Sequence, residues 1–179
     1  MRVITGIARG KRLESLQGEA VRPTTDRVKE AIFSILHFDI EGRRMIDLFA
    51  GCGQMGIEAI SRGAESVTFI DSSLSSVNVI KRNIASCGFE KQSVVFRSDY
   101  SDFLKNTKAK FDIAFLDPPY NEGILEDALE KTCLIMNDSG TILCEHPAHI
   151  ELPEAVNGFE KKKVYRYGKI LVSLYRKNV

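Results

Sequence analysis

Asp47-Leu48-Phe49-Ala50-Gly51-Cys52-Gly53-Gln54-Met55-Gly56 is the stretch that decides the fold of this chain. A short apolar segment, Met45 to Phe49, leads into it, and a helical pattern reaching about Arg62 leads out. Gly51, Gly53 and Gly56 therefore form a G-x-G-x-x-G series between a strand and a helix. There, glycines let the chain turn, let a ligand approach the backbone and let helix and strand pack closely. Asp71 stands twenty residues beyond Gly51 at the tip of the next expected strand, where a carboxylate can accept two hydrogen bonds from a ribose diol. This pattern leaves two ligands open, a dinucleotide and S-adenosylmethionine. Asp47 tips the choice to the second. A carboxylate beside the glycine turn is unfavourable next to a pyrophosphate, which prefers a free helix N-terminus. It can instead hold, through water or backbone, the cationic amino group of a methionine moiety.

The surrounding pattern alternates strands and helices. Strands are expected at Ser66 to Asp71, Ser93 to Ser98, Phe111 to Leu116 and Thr141 to Cys144, with helices at Ser73 to Ser86 and Glu122 to Met136. Short apolar strands separated by helices predict an α/β fold, with a mostly parallel sheet covered on both faces. Lys163 to Tyr175, with Gly168 inside it, reads as two antiparallel strands joined by a turn. At the other end, Val3-Ile4-Thr5-Gly6 and Gly10-Lys11-Arg12-Leu13 read as a small hairpin, expected as an appendage. Val28 to Leu36 reads as an amphipathic helix capped by Thr24, Thr25 or Asp26. The expected division is a basic N-terminal hairpin over residues 1–22 and one catalytic domain over 23–179.

Asp117-Pro118-Pro119-Tyr120 directly follows the strand ending at Leu116, at the carboxyl end of the sheet, where open α/β folds bind their ligands. Two prolines in succession fix φ and remove backbone donors, so this loop presents acceptors. Acceptors suit an NH2 group. An exocyclic amine is a weak nucleophile because its lone pair is delocalised into the base. The Asp117 side chain and the Pro118 carbonyl can grip its two hydrogens and turn the lone pair toward a methyl donor. Tyr120 can stack on a base pulled out of its helix or loop. Asp99, in Arg97-Ser98-Asp99-Tyr100, lies where a carboxylate reaches an adenine amino group in such a fold, and Ser-Asp before a helix is also an ordinary N-cap. Phe49, Ala50, Ser72 and Tyr100 complete the candidate cofactor residues beside Asp47, Gly51, Gly53, Asp71 and Asp99.

Composition bounds the function. With 179 residues, 44% of them hydrophobic, the chain can bury one good core. No apolar run is long enough to span a bilayer, and the opening residues lack the apolar stretch of a signal peptide, so a soluble cytoplasmic protein is expected. The four cysteines form no C-x-x-C pair, which argues against a zinc knuckle or a disulfide framework, and no metal is expected. Net charge is only +1, yet residues 1–30 carry seven Lys/Arg against four Asp/Glu, residues 160–179 carry seven against one, and the middle is acidic. Basic ends around an acidic body suit termini that meet a polyanion and a body that handles a small ligand.

Three stretches together resemble a known family: Asp47 to Gly53 with Gly56-Ile57-Glu58-Ala59, Asp117 to Tyr120, and Arg22-Pro23-Thr24-Thr25-Asp26-Arg27-Val28-Lys29-Glu30-Ala31-Ile32-Phe33. The chain is similar, nearly throughout, to the RsmD-like 16S ribosomal RNA guanine-N2 methyltransferases, with guanine 966 the implied position. Arg22 to Phe33 is the discriminating stretch, because the other two occur in many amino-methyltransferases. The resemblance implies a class I methyltransferase with a Rossmann-like, seven-stranded, mostly parallel sheet containing one antiparallel strand. S-adenosylmethionine would be the donor and a guanine N2 amine of 16S rRNA the acceptor, presented within a small-subunit particle to a monomeric enzyme. Asp47, Gly51 and Gly53 would line the methionine end, Asp71 the ribose, Asp99 the adenine, and Asp117 to Tyr120 the target base. Arg22, Thr24 and Arg27 would lie near cofactor or RNA, with Arg9, Lys11 and Arg12 of the hairpin as further RNA contacts. Cys52 and Gln54-Met55 depart from the family's Ser and Ala-Leu, a small matter where contacts run through backbone.

Three other functions share parts of this pattern. A DNA adenine-N6 or protein-glutamine methyltransferase shares both motifs, but the chain is small for a separate target-recognition domain. An NAD-dependent oxidoreductase explains the glycines and Asp71 and leaves Asp117 to Tyr120 idle. A non-catalytic RNA-binding module explains the basic ends alone.

Overall fold

Thr25 starts the first helix. Its side chain accepts a hydrogen bond from the Val28 N–H at 3.4 Å, and α1 (Asp26–Ile35) follows, burying Val28, Lys29, Ile32 and Phe33 along one face. The structure, a computed structural model, describes residues 1–16, 25–36, 39–119 and 123–177. After α1 the chain alternates as expected: β1 (Arg44–Asp47), α2 (Gln54–Ser61), β2 (Ser66–Asp71), α3 (Leu74–Cys87), β3 (Ser93–Arg97), α4 (Tyr100–Asn106), β4 (Phe111–Leu116), α5 (Ile124–Cys133) and β5 (Met136–Pro147). The two-residue β6 (Ala155–Val156), β7 (Phe159–Tyr167) and β8 (Ile170–Lys177) close the chain.

These strands form one sheet in the order β3-β2-β1-β4-β5-β8-β7-β6. The five strands from β3 to β5 run parallel. β8 inserts antiparallel between β5 and β7. Seven long strands with β8 alone reversed among them match the expected sheet, and β6 is a short addition at the edge. Alternation of side chains divides the core. Met45, Ile113, Phe115, Leu143 and Val172 face α1, α2 and α3, whereas Ile46, Leu48, Ala114, Leu116, Ile142 and Cys144 face α4 and α5. Each Val, Leu, Ile, Phe or Met side chain among them, taken fully from water, contributes about 1.5–3 kcal/mol. All four cysteines are free thiols, and Cys52, Cys133 and Cys144 are buried. Among the described residues no helix is long and apolar enough to cross a membrane.

Two expectations need correction. The helix expected to reach Met136 ends at Cys133, and the following strand begins at Met136 rather than Thr141. Asn137-Asp138-Ser139-Gly140 has turn composition, yet Met136 pairs with Phe111, Asn137 donates to the Asp112 carboxylate at 2.7 Å and Lys177 donates to Asp138 at 2.7 Å. Tertiary partners override local preference here.

The N-terminal hairpin is the second correction. One bridge, Arg2 to Arg12, closes it, and the loop packs into the core instead of standing off as an appendage, with Val3, Ala8 and Leu13 buried. Four of its backbone donors find their partners on α2. The Ile4 and Thr5 N–H groups donate to the Glu58 carboxylate at 2.8 and 2.9 Å, Ile7 N–H to the Ser61 carbonyl at 2.9 Å, and Ala8 N–H to Ser61 Oγ at 3.0 Å. Gly6 makes the approach possible: its φ is +85°, and a Cβ there would lie 1.7 Å from the Ser61 carbonyl oxygen. The expected boundary at residue 22 lies outside the described residues.

Candidate active site

The carboxyl ends of β1, β4 and β5 lie side by side. Asp47 pairs in register with Phe115, and Phe115 with Leu143. Because side chains alternate, Asp117 and Glu145, each two residues further on, stand on the same face as Asp47. Three neighbouring strands thus bring three carboxylates together just above the core. Asp47 is 1% exposed. Its Oδ2 accepts the Gly56 N–H at 3.1 Å, which ties the end of β1 to the start of α2, while Oδ1 has no hydrogen-bond partner among the described residues. Burial pushes the Asp47 carboxyl up to about 7, with the Gly56 bond opposing and the Asp71 charge adding to the rise. Asp117 is held well above the usual carboxylate range, first by burial and then by the charges of Glu145 and Asp47.

The glycine loop is built as its spacing requires. Gly53 sits in the left-handed region at φ +80° and caps α2. A Cβ on Gly56 would lie 2.3 Å from the Phe69 ring, so only glycine lets α2 rest this closely on β2. Asp71 at the end of β2 accepts the Gly51 N–H at 2.9 Å on one oxygen and the Ser73 N–H at 2.9 Å on the other. Each oxygen keeps a further lone pair for a diol. Asp99 caps α4, accepting the Ser101 N–H at 2.8 Å. The next residue, Tyr100, packs its ring on Phe49 with centroids 5.2 Å apart and donates its hydroxyl to Asp127 at 2.9 Å.

These parts enclose a cavity of about 550 Å³. Asp47, Phe49, Ala50, Gly51, Asp71, Ser72, Asp99, Tyr100, Asp117, Pro118 and Pro119 all line it. Gly53 does not reach the wall and acts through the turn. A second cavity of about 150 Å³ shares Pro118 and Pro119 as a wall. Arg9, Lys11, Arg12 and Arg27 are exposed and stand away from both cavities. Tyr120, Arg22 and Thr24 lie outside the described residues. Sequence reading missed Met1, Ser15 and Leu16, which the docked N-terminal loop brings to the cavity wall. Asn83 on α3 fastens this segment, donating to the carbonyls of Glu14 and Cys52 at 3.0 and 2.9 Å and accepting the Glu14 N–H at 2.8 Å. No local motif announces that clasp.

Over residues 1–176 the chain matches the family model described as Conserved hypothetical protein 95. It belongs to this RsmD-like family. An RsmD-like relative, the ribosomal RNA small subunit methyltransferase D of Haemophilus influenzae, is 39% identical over 137 residues, covering 74% of this chain and 70% of its own. The solved structure of Escherichia coli yhhF superposes with a TM-score of 0.90 at 29% identity, covering 99% of this chain and 98% of that one. SMU.776, solved in complex with SAH, shares the fold at a TM-score of 0.70 and 13% identity, over 82% of this chain and 48% of that one. The RsmD-like chain is a methyltransferase with a Rossmann-like class I fold.

S-adenosylmethionine is the cofactor that family and fold point to, and the residues present fit it. The buried Asp47 oxygen without a partner among the described residues suits an ammonium group. Asp71 offers acceptors at the end of β2, and the Phe49–Tyr100 pair gives the cavity an aromatic wall. When bound, the cofactor supplies an electrophilic methyl group on a sulfonium.

Proposed function

We propose that this chain methylates the exocyclic N2 amine of a guanine in 16S ribosomal RNA, using S-adenosylmethionine and acting on a small-subunit particle, with guanine 966 the position implied by the family resemblance. One observation carries the reading: Asp117, followed by two prolines, lies at the carboxyl end of β4 on the wall of the large cavity, with the prolines dividing it from the small one. The Asp117 carboxylate and the Pro118 carbonyl are acceptors for the two amine hydrogens. Held by both, the nitrogen lone pair leaves conjugation with the ring and turns toward the large cavity. As that nitrogen gains its fourth bond, positive charge develops beside Asp117, where a fixed carboxylate stabilises it more than water does. The nitrogen then sheds one N–H proton. Asp117 adjoins it, and its raised proton affinity suits it to receive that proton.

The name of the Haemophilus influenzae relative supports RNA as the acceptor, as do the exposed Arg9, Lys11 and Arg12 on the N-terminal loop. Asp117→Ala tests the assignment. Turnover on 16S RNA should fall about a hundredfold or more, while cofactor affinity measured by calorimetry stays within a few-fold, because the partner of Asp117 is the base. Normal turnover in that variant contradicts the assignment.

A further inference from the structure

Glu145 belongs to no sequence motif. Its position follows from strand register. In the parallel β4–β5 ladder Leu143 pairs with Phe115 and Cys144 with Leu116, which sets Glu145 beside Asp117. Glu145 is 6% exposed, and its charge acts on the Asp117 carboxyl. It lines the smaller cavity together with Pro118, Pro119, Leu125 and Ile150. A planar base seated at the Pro118–Pro119 wall that the two cavities share would have Asp117 on its large-cavity side and Glu145, the neighbour of Asp117 in strand register, on its small-cavity side. The Asp47 oxygen that has no partner among the described residues, on the same face at the large cavity, marks this end of the sheet as built for donors and cations. His146 lines the small cavity too, but its ring nitrogens are engaged by Ser173 Oγ at 2.8 Å and the Pro147 carbonyl at 3.1 Å.

Guanine carries two neighbouring donors on its pairing edge, the N2 amine and N1–H. Adenine sets its N6 amine beside an N1 lone pair. Enzymes that act on an extruded base read this edge by hydrogen bonds. Two acceptors in a row match guanine, whereas an adenine N1 lone pair would face a carboxylate. We infer that Glu145 is the specificity-determining residue of the acceptor site, accepting guanine N1–H while Asp117 accepts from the N2 amine. The inference rests on the guanine reading and adds the group that enforces it.

The test compares wild type and Glu145→Gln on 16S RNA whose methylated nucleotide carries either guanine or 2,6-diaminopurine. The analogue keeps the N2 amine but has a lone pair at N1. Wild type should prefer guanine by about tenfold or more, because a site built for an N–H rejects the analogue that lacks it. The side-chain amide introduced by Glu145→Gln can donate to that lone pair, so the variant should bring the two substrates within about threefold of each other, at unchanged cofactor affinity. A wild-type enzyme that treats both bases alike overturns the inference whether or not the variant folds. So does a variant that slows both substrates equally, which is the mark of a merely structural role. If wild type methylates an adenine amine and no guanine, the guanine reading fails and Glu145 falls with it.

Discussion

Asp47 sits where its charge is disfavoured: it is buried, one oxygen is bound to Gly56, and its carboxyl is raised from the ordinary 3.8 to about 7. A cation seated at the other oxygen needs the ionised form. Below about pH 7 each binding event must therefore expel a proton, and above it none is needed. Cofactor affinity should rise between about pH 5 and 7, by up to about tenfold per unit, and then level off. Calorimetry across that range checks this, and Asp47→Asn should flatten the rise. The sign for stability is opposite. With the folded value above the unfolded one, the contribution of the neutral carboxyl is fully present below about pH 4 and lost as pH rises through about 7. Cofactor should thus raise Tm more at pH 8 than at pH 6. Asp47, Asp71 and Asp117 were legible in the sequence because each adjoins a strand end with a local signature. Glu145, Ser15 and Leu16 were not, since Leu143-Cys144-Glu145-His146 and Leu13-Glu14-Ser15-Leu16 carry no pattern and reach the cavities only through strand register and a loop clasp.

At the scale of elements, the N-terminal loop is held by a buried ionic group. Glu58 on α2 accepts from Ile4 and Thr5, pairs with Arg62 at 2.9 Å and faces Lys29 of α1 at 3.6 Å, where Lys29 and Glu58 have no exposed side-chain surface. Lys29 also donates to the Arg2 carbonyl at 2.7 Å. Lys29→Met removes a buried cation while Glu58 keeps Arg62 and the two backbone donors, so the cost should lie at the lower end for a broken buried pair, about 3 kcal/mol, read from the urea midpoint. Because Met1, Ser15 and Leu16 line the cavity, the same change should weaken cofactor binding. A variant as stable as wild type would show the pair to be dispensable. The alternation of strands and helices was readable from apolar runs and glycines. The docking of the loop was not, because its partners are polar residues, Glu58 and Ser61, on the helix that follows the glycine turn. The early start of β5 was hidden by turn-forming residues whose partners come from β4 and β8.

At the scale of the molecule, charge and cavity divide the labour. On the proposed function the acidic strand ends would hold the cationic cofactor, and the exposed Arg9, Lys11 and Arg12 extend from a loop anchored to the same core. Replacing those three with alanine should weaken RNA binding and reduce its salt slope by about 3, roughly one per cation. An unchanged slope in filter binding would place the docking surface elsewhere. The chain's basic ends were plain from composition, but only the fold shows the loop forming part of the cavity wall. The central claim is methylation of a guanine amine at Asp117. Its most direct test is to digest 16S RNA to nucleosides from cells lacking this chain, complemented with wild type or with Asp117→Ala. The account predicts that N2-methylguanosine falls in the deletion, returns with wild type and does not return with the variant. An unchanged N2-methylguanosine content, or restoration by the variant, would contradict it.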